Sequence, residues 1–513
     1  MKKLLAILIC SILSLSGFSG MTLTAGAVDG VPVEVNSAAD FQTISGSGEY
    51  WITADIVLAD TFESLASFSG KVLGKDPQGN DVPRRITTVK PLFEELNGAE
   101  IKNLITAGTL SSDTASFGSL AKSAKNDTKI DSCINEASVT SSAGNVGGLI
   151  GNGVAAITNC VNKGNVTGGA TNVGGIIGFI STAGSISGSS NEGTVTNNLV
   201  MTANGYTHTG GVVGVTYGNI TDCFTTASSK VYGDNKIGGV VGTIGDGKTA
   251  VLAENLTNAG YVGLHEAAGQ GNYIGGVAGQ ANSDLKNSKN LSTAAVEGKT
   301  NIAGIAAVLY TNYSLENCIN EGTVTGTSNA AGIAASISSG TSMISGSTNR
   351  GKITADKAVG GIACVISENH TIKNCTNEGN IVSKGTHSGG IVHQNGGTIT
   401  GCDNTGKVEG STHNGGIAGM LKNASRTESC YNSGEVLSSA TYAGGIAGQL
   451  DESATEIKDV ILTNCGNAGK VSATSHAAGI IGRPFTGLEL SKCYNTGAVE
   501  ATLSGSAYAG GIT

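Results

Sequence analysis

The chain has 513 residues, a net charge of -9, and only 13% charged residues against 39% hydrophobic ones. The charge is modest and scattered, with no basic patch, which argues against a nucleic-acid or anionic-membrane partner. Glycine (79 residues) occurs without a Gly-X-Y period, which excludes collagen, and the Ile- and Val-rich apolar fraction argues against disorder.

The first 27 residues read as a removed signal peptide. Lys2 and Lys3 precede the apolar run LLAILICSILSLSG, and Ala25-Gly26-Ala27 supplies small residues for cleavage. The run is shorter than a membrane span needs. The bulky Ile9 before Cys10 argues against a lipoprotein, so the mature chain is expected to be secreted or at the cell surface, without membrane insertion. Residues 28–129 are expected to form an N-terminal cap that leads into a long repetitive region.

From 130 to 513 the chain repeats the unit Ile-x-x-Cys-x-Asn-x-Gly-x-Val, a variable loop, then Gly-Gly-Ile-x-Gly. "ITNCVNKGNV…VGGIIG" (Ile157 to Gly178) and "IKNCTNEGNI…SGGIVH" (Ile372 to His393) are two copies among about thirteen. The spacing runs from 27 residues (Cys133 to Cys160) to 35 (Cys430 to Cys465), the range of a solenoid or an array. The apolar positions are short, β-branched and alternating, with no helical stripe. Three brief strands per turn fit an all-β parallel β-solenoid of about thirteen coils, a rod on the order of 60 Å long.

Two columns have structural explanations. Asn135, Asn162, Asn191, Asn258, Asn290, Asn320, Asn349, Asn377, Asn404, Asn432, Asn467 and Asn495 share one position, interrupted by Thr225. They are expected at a left-handed corner, bonding amide to amide from coil to coil. The Gly two residues later, as in Gly164 and Gly379, is expected at a tight bend. Nine of the eleven cysteines occupy another column, which also accepts Ser189, Leu256, Ser288 and Ser347. That mixture indicates buried free thiols rather than a disulfide framework, and one Cys per coil offers no zinc cluster.

The strings VGGLIG (Val146 to Gly151), VGGIIG (Val173 to Gly178) and TGGVVG (Thr209 to Gly214), each accompanied by Ile-x-x-Cys-x-Asn-x-Gly-x-Val, resemble the GLUG motif. The departures are Ala-Gly for Gly-Gly in IAGIAA, AAGIAA and AAGIIG. The resemblance implies β-solenoid repeats of a secreted or surface-attached bacterial protein, of the kind that also flank the catalytic module of IgA-cleaving metallopeptidases. It implies a building material rather than an active site.

Catalytic and cofactor signatures are sparse. HEAAG (His265 to Gly269) lacks the second ligand of a zinc peptidase, and no Asp recurs after the Gly pairs as a calcium staircase requires. The recurring Glu136, Glu192, Glu321 and Glu378 read as solvated corners rather than the paired carboxylates of a glycosidase. No cofactor or metal is expected.

One column suggests binding. Two residues before the Gly pair stand His208, Tyr273, His387, His413, Tyr442, His476 and Tyr508, with Asn145, Asn172, Asn301 and Asn329 in other copies. If the coils align, these planar groups form a stripe that stacks on and hydrogen-bonds an extended ligand such as a glycan; the alternative is a turn position that tolerates planar side chains. The expected function is a non-catalytic adhesive, ligand-binding or spacer rod, with host or environmental glycans or surface proteins as partners. The alternatives are a polysaccharide-active β-helix enzyme, or the repeat region of a larger surface peptidase. Because AGGIT resembles the start of the continuing TYAGGIAGQL (Thr441 to Leu450), Thr513 is expected to lie inside an interrupted coil.

Overall fold

Most coils are built from strand segments too short to be seen as separate runs in the sequence. A computed structural model describes residues 31–169, 171–199, 206–265, 271–451, 458–503 and 507–513; the signal-peptide reading of residues 1–27 lies outside them. The coil that begins at Thr371 shows the pattern: Thr371–Lys373 (face I), Thr376–Asn377 (face II), Ile381–Ser383 (face III), Ser388–Gly389 (face IV) and Val392–Asn395 (face V), before Thr398–Thr400 resumes face I. The expectation of three strands per coil is thus corrected to five, two of them in this coil only two residues long.

Each segment pairs in parallel with its equivalent one coil away, as Thr376 with Asp403 and Ile381 with Val408. The chain is an all-β parallel solenoid of about fifteen turns. Among the described residues, faces II, III and IV form sheets of 16, 14 and 14 strands. Faces V and I join in one 30-stranded sheet, because Ala121–Asp131 and Ile150–Thr158 run unbroken through both. Face II begins before residue 130, with Ile56–Val57, Arg84–Thr87 and Leu104–Ala107. At the N-terminal end a short helix, Ala38–Phe41, capped by the Ser37 hydroxyl, seats Phe41 against Phe62 and Phe93. These rings are buried, with Phe68 and Tyr50 continuing the cluster inward.

The cross-section has two lobes. Faces V, I and II enclose the main core of stacked Ile, Leu, Val and Cys, in this coil Ile372, Cys375, Ile391 and Val392. Faces III and IV enclose a thinner core represented by Ile353, Val359, Ile381 and Val408. Between them runs the Asn column. Asn404 is fully buried; its Nδ2 donates to the Gly406 carbonyl (2.9 Å) and to Asn432 Oδ1 (2.7 Å), and its Oδ1 accepts from Asn377 Nδ2 (2.7 Å). Side-chain bonds of 2.6–2.8 Å link Asn135 to Asn162 and Asn162 to Asn191, then Asn258 through Asn290, Asn320, Asn349, Asn377, Asn404, Asn432 and Asn467 to Asn495. At the interruption Asn191 donates instead to Ser229, and Thr225 donates to Asn258.

One expectation about this corner is corrected and a second is sharpened. The left-handed residue is not the ladder Asn but the one before the Cys column: Asn159 (φ 54°), Asn317 (54°), Asn374 (52°) and Asn464 (54°). The turn from face I to face II occurs there, leaving the ladder Asn extended, with its amide aimed along the rod. The Gly two residues after the ladder Asn lies at a bend, as at Gly164 and Gly379, but without a positive φ. A Cβ on Gly379 would collide with the carbonyl of Gly351, so glycine is needed for close approach between coils. The second Gly of each pair has a related reason: a Cβ on Gly390 would strike the Asn404 amide and the Gly416 carbonyl.

The described cysteines are free, buried except for the half-buried Cys493. Burial pushes the Cys223 and Cys318 thiols up to about 12, so they stay protonated. Among the described residues no helix is long and apolar enough to cross a membrane, and no group of three His, Cys, Asp or Glu is placed to hold a metal ion.

Candidate functional site

The Gly pair between faces IV and V makes the chain turn outside in. The outward side chains of face IV, the planar column, therefore meet the outward side chains of face V on the next coils. His208 Nδ1 lies 2.7 Å from Thr243 Oγ1, His387 Nε2 lies 2.8 Å from Gln449 Nε2, and the Arg483 guanidinium sits 5.1 Å from the Tyr442 ring centre. The last Gly of Gly-Gly-Ile-x-Gly makes this closeness possible: a Cβ on Gly448 would strike the His413 carbonyl. The result is a re-entrant groove along the rod, floored by this glycine column.

The predicted stripe divides in two. His387, His413, Tyr442, His476 and Tyr508 stack in consecutive coils, with centroid separations of 4.9, 5.0, 4.8 and 5.0 Å and interplanar angles of 18°, 17°, 33° and 22°. The spacing is that of adjacent strands. His208 and Tyr273 share the column but not the stack, because Lys236, Asn301, Asn329 and Ala358 intervene. Asn172 donates to Asn145 (2.7 Å) and Asn329 to Asn301 (2.9 Å), so amide pairs replace rings there. Several column residues are left-handed: Lys236 (φ 42°), His413 (52°), Asn301 (54°) and Tyr273 (61°).

This geometry changes what the stripe offers. In the run of five, His413, Tyr442 and His476 are covered on both ring faces by their neighbours, so edges rather than faces point into the groove. His393, which replaces a floor glycine, adds a ring set edge-on to His387 at 5.6 Å and 77°. Burial, then the neighbouring His413, lowers the His387 pKa to about 4. Burial, with His387 and Lys422 beside it, lowers His393 to about 3. Both are neutral near pH 7; His387 is hydrogen-bonded at both ring nitrogens, whereas His393 Nδ1 is buried without a partner.

The facing wall was not anticipated from sequence. It consists of the residue after the floor position: Phe179, Val215 and Thr243 early in the rod, and Gln394, Met420, Gln449 and Arg483 beside the ring stack, which pair in register from coil to coil. The signal was the alternation beginning at Ile-x-Gly, which places this residue outward. At His208 the groove opens into a cavity of about 470 Å³, lined among others by Asn172, Phe179, Tyr206, His208, Tyr217, Lys236 and Thr243.

The recurring acidic residues lie elsewhere, at face II corners, where Glu136 pairs with Arg85 and Glu321 and Glu378 share Arg350. His265 is described, but the rest of HEAAG lies outside the described residues. Comparison with protein families, characterised proteins and solved structures finds no match, so the resemblance to GLUG repeats rests on the motif alone.

Proposed function

We propose that the chain is a secreted or cell-surface rod, non-catalytic over the residues described, that holds an extended polar ligand, a glycan, in the groove between faces IV and V. The observation that carries this reading is the groove's lining. Ring edges and amides recur in most coils at strand spacing, a series of neutral hydrogen-bonding sites, interrupted at Lys236 and Ala358, suited to a hydroxyl-rich polymer. A polysaccharide-cleaving reading would need two carboxylates across the groove about 5 to 10 Å apart. Beside the ring stack, the stripe from His387 to Tyr508 and the wall from Gln394 to Arg483 supply none.

The test replaces His387, His413, Tyr442 and His476 together by Asn, which four other coils carry at this position and which tolerates the left-handed backbone of residue 413. Binding to a glycan array is expected to be lost while the circular dichroism spectrum is unchanged. Unchanged array binding would remove the groove as the binding site.

A further inference from the structure

The cavity at His208 differs from the ring-stack stretch of the groove in carrying a half-buried lysine, Lys236. Lys236 stands in the planar column, where other coils carry Asn, His, Tyr or, once, Ala358, and its ammonium lies 3.8 Å from the centre of the Tyr206 ring. No described carboxylate forms an ion pair with it. The rim residue Asp246 turns Oδ1 to the backbone amides of Lys248 and Thr249, each at 2.9 Å. His208 adds no second charge: burial, then the nearby Lys236, lowers its pKa to about 3, and its Nδ1 is engaged with Thr243. Phe179 and Tyr217, edge to face at 5.1 Å, supply apolar wall. A cavity of about 470 Å³ that combines aromatic walls with polar groups such as Asn172, Thr243 and Asn282 is of small-molecule size.

We infer that this cavity is a subsite for one carboxylated sugar residue, such as a uronic acid, with its carboxylate on the Lys236 ammonium and its ring against Tyr206 and the Phe179–Tyr217 pair. The inference rests on the reading of the groove as a glycan site and adds the ligand class. A partly desolvated ammonium without an ion-pair partner gains more from an anion than from a hydroxyl, and the aromatic walls suit the apolar face of a pyranose. A neutral sugar would leave the charge uncompensated. Burial alone also lowers the Lys236 pKa to about 8, so an anion that needs the protonated amine should bind less well as the pH rises past that value.

The experiment titrates the whole chain, by calorimetry, with an oligogalacturonide and with the same oligosaccharide after reduction of its carboxyls to alcohols; inorganic phosphate serves as a competitor. The acidic form is expected to bind about 10-fold or more tighter at neutral pH. That preference should shrink between pH 8 and 10. It should vanish in Lys236→Asn, which keeps a side chain that tolerates the left-handed backbone, and persist in Lys236→Arg. Equal binding of the two forms, a preference that survives Lys236→Asn, or displacement by phosphate as strong as by galacturonic acid would each overturn the subsite. Absence of binding by either form would overturn it too, while binding of some other glycan on the array would leave the groove reading standing. Lys236-dependent binding of the acidic form that is unmoved by the four-ring replacement would uphold the subsite and remove the groove reading.

Discussion

Asn404 is held at both ends of its amide, and so are its neighbours in the column, so each ladder residue is a link rather than a local cap. Truncating it to Ala leaves the Gly406 carbonyl and Asn432 Oδ1 without their donor at the waist between two apolar cores, while Asn377 Nδ2 keeps the Gly379 carbonyl. A buried polar group left unsatisfied costs about 1–3 kcal/mol, so Asn404→Ala is expected to destabilise by roughly 2–4 kcal/mol. A urea titration of the variant against the parent chain measures this, and an unmoved midpoint would mean that the ladder adds nothing net to stability. Thr225 shows how the column tolerates a break. The lost amide is replaced by two hydroxyls, Ser229 accepting from the coil before and Thr225 donating to the coil after. The same residue-level reasoning separates the two prominent columns: the Asn side chains are paired along the axis, whereas the thiols fill space and donate weakly to nearby carbonyls, as Cys375 does to Lys373 and Ile344.

Face IV joins these residues into an element whose state depends on protons. His387 has Thr386 Oγ1 and Gln449 Nε2 at 2.8 Å on its two ring nitrogens. His413 stacks below, His393 stands edge-on, and Asp451 and Lys422 are the charges nearest this cluster. The folded ring titrates at about 4 against 6.5 for a free histidine, so between those values the unfolded chain binds more protons than the folded one. The stability that depends on a neutral His387 is therefore full above pH 6.5 and is lost as the pH falls through 4. The loss is roughly 2 kcal/mol after allowance for water reaching the ring edge. Denaturant midpoints at pH 7.5 and 4.5 should differ less in His387→Asn than in the parent chain, and an equal difference would place the acid sensitivity elsewhere. Much of this element was legible beforehand: the repeat length, the ladder and the planar column can all be found by aligning the chain with itself. What stayed hidden depends on the direction of turns. Asn374 and Asn377 are the same residue type three positions apart, yet only the first is left-handed, and nothing in the residue type distinguishes them. Whether Gly389-Gly390 turns the chain outward or back on itself decides whether His387 faces open solvent or the wall at Gln449, and that depends on how close the coils approach, not on local propensity. The five segments per coil were missed because a two-residue strand such as Thr376–Asn377 has no alternation to read.

At the scale of the whole rod, each coil touches mainly the coils before and after it, so stability is close to a sum of coil terms and nearest-neighbour terms. The equivalence of positions is tight enough to make this testable by removing one unit. Ile319 pairs with Thr348, and Thr348 with Thr376, so deleting the 29 residues from Ile319 to Ser347 joins Cys318 to Thr348 with every face in register. Asn290 then meets Asn349, and Leu315 meets Ile372 in the main core. The shortened chain is expected to keep its β-sheet circular dichroism, to unfold with a denaturant slope reduced roughly in proportion to the residues removed, and to lose about 4.8 Å in maximum dimension by small-angle scattering. Deleting only residues 319 to 333 has a different consequence, because faces II, III and IV of one coil vanish and Cys318 is joined to face V. The two lobes then have no common waist, the ladder is broken, and open strand edges are exposed to pairing with other chains, so aggregation is expected. A whole-coil deletion that aggregates like the half-coil deletion would show that the coils are not interchangeable units, and that the pairing of particular side chains between specific neighbours, rather than the repeat geometry, holds the rod together.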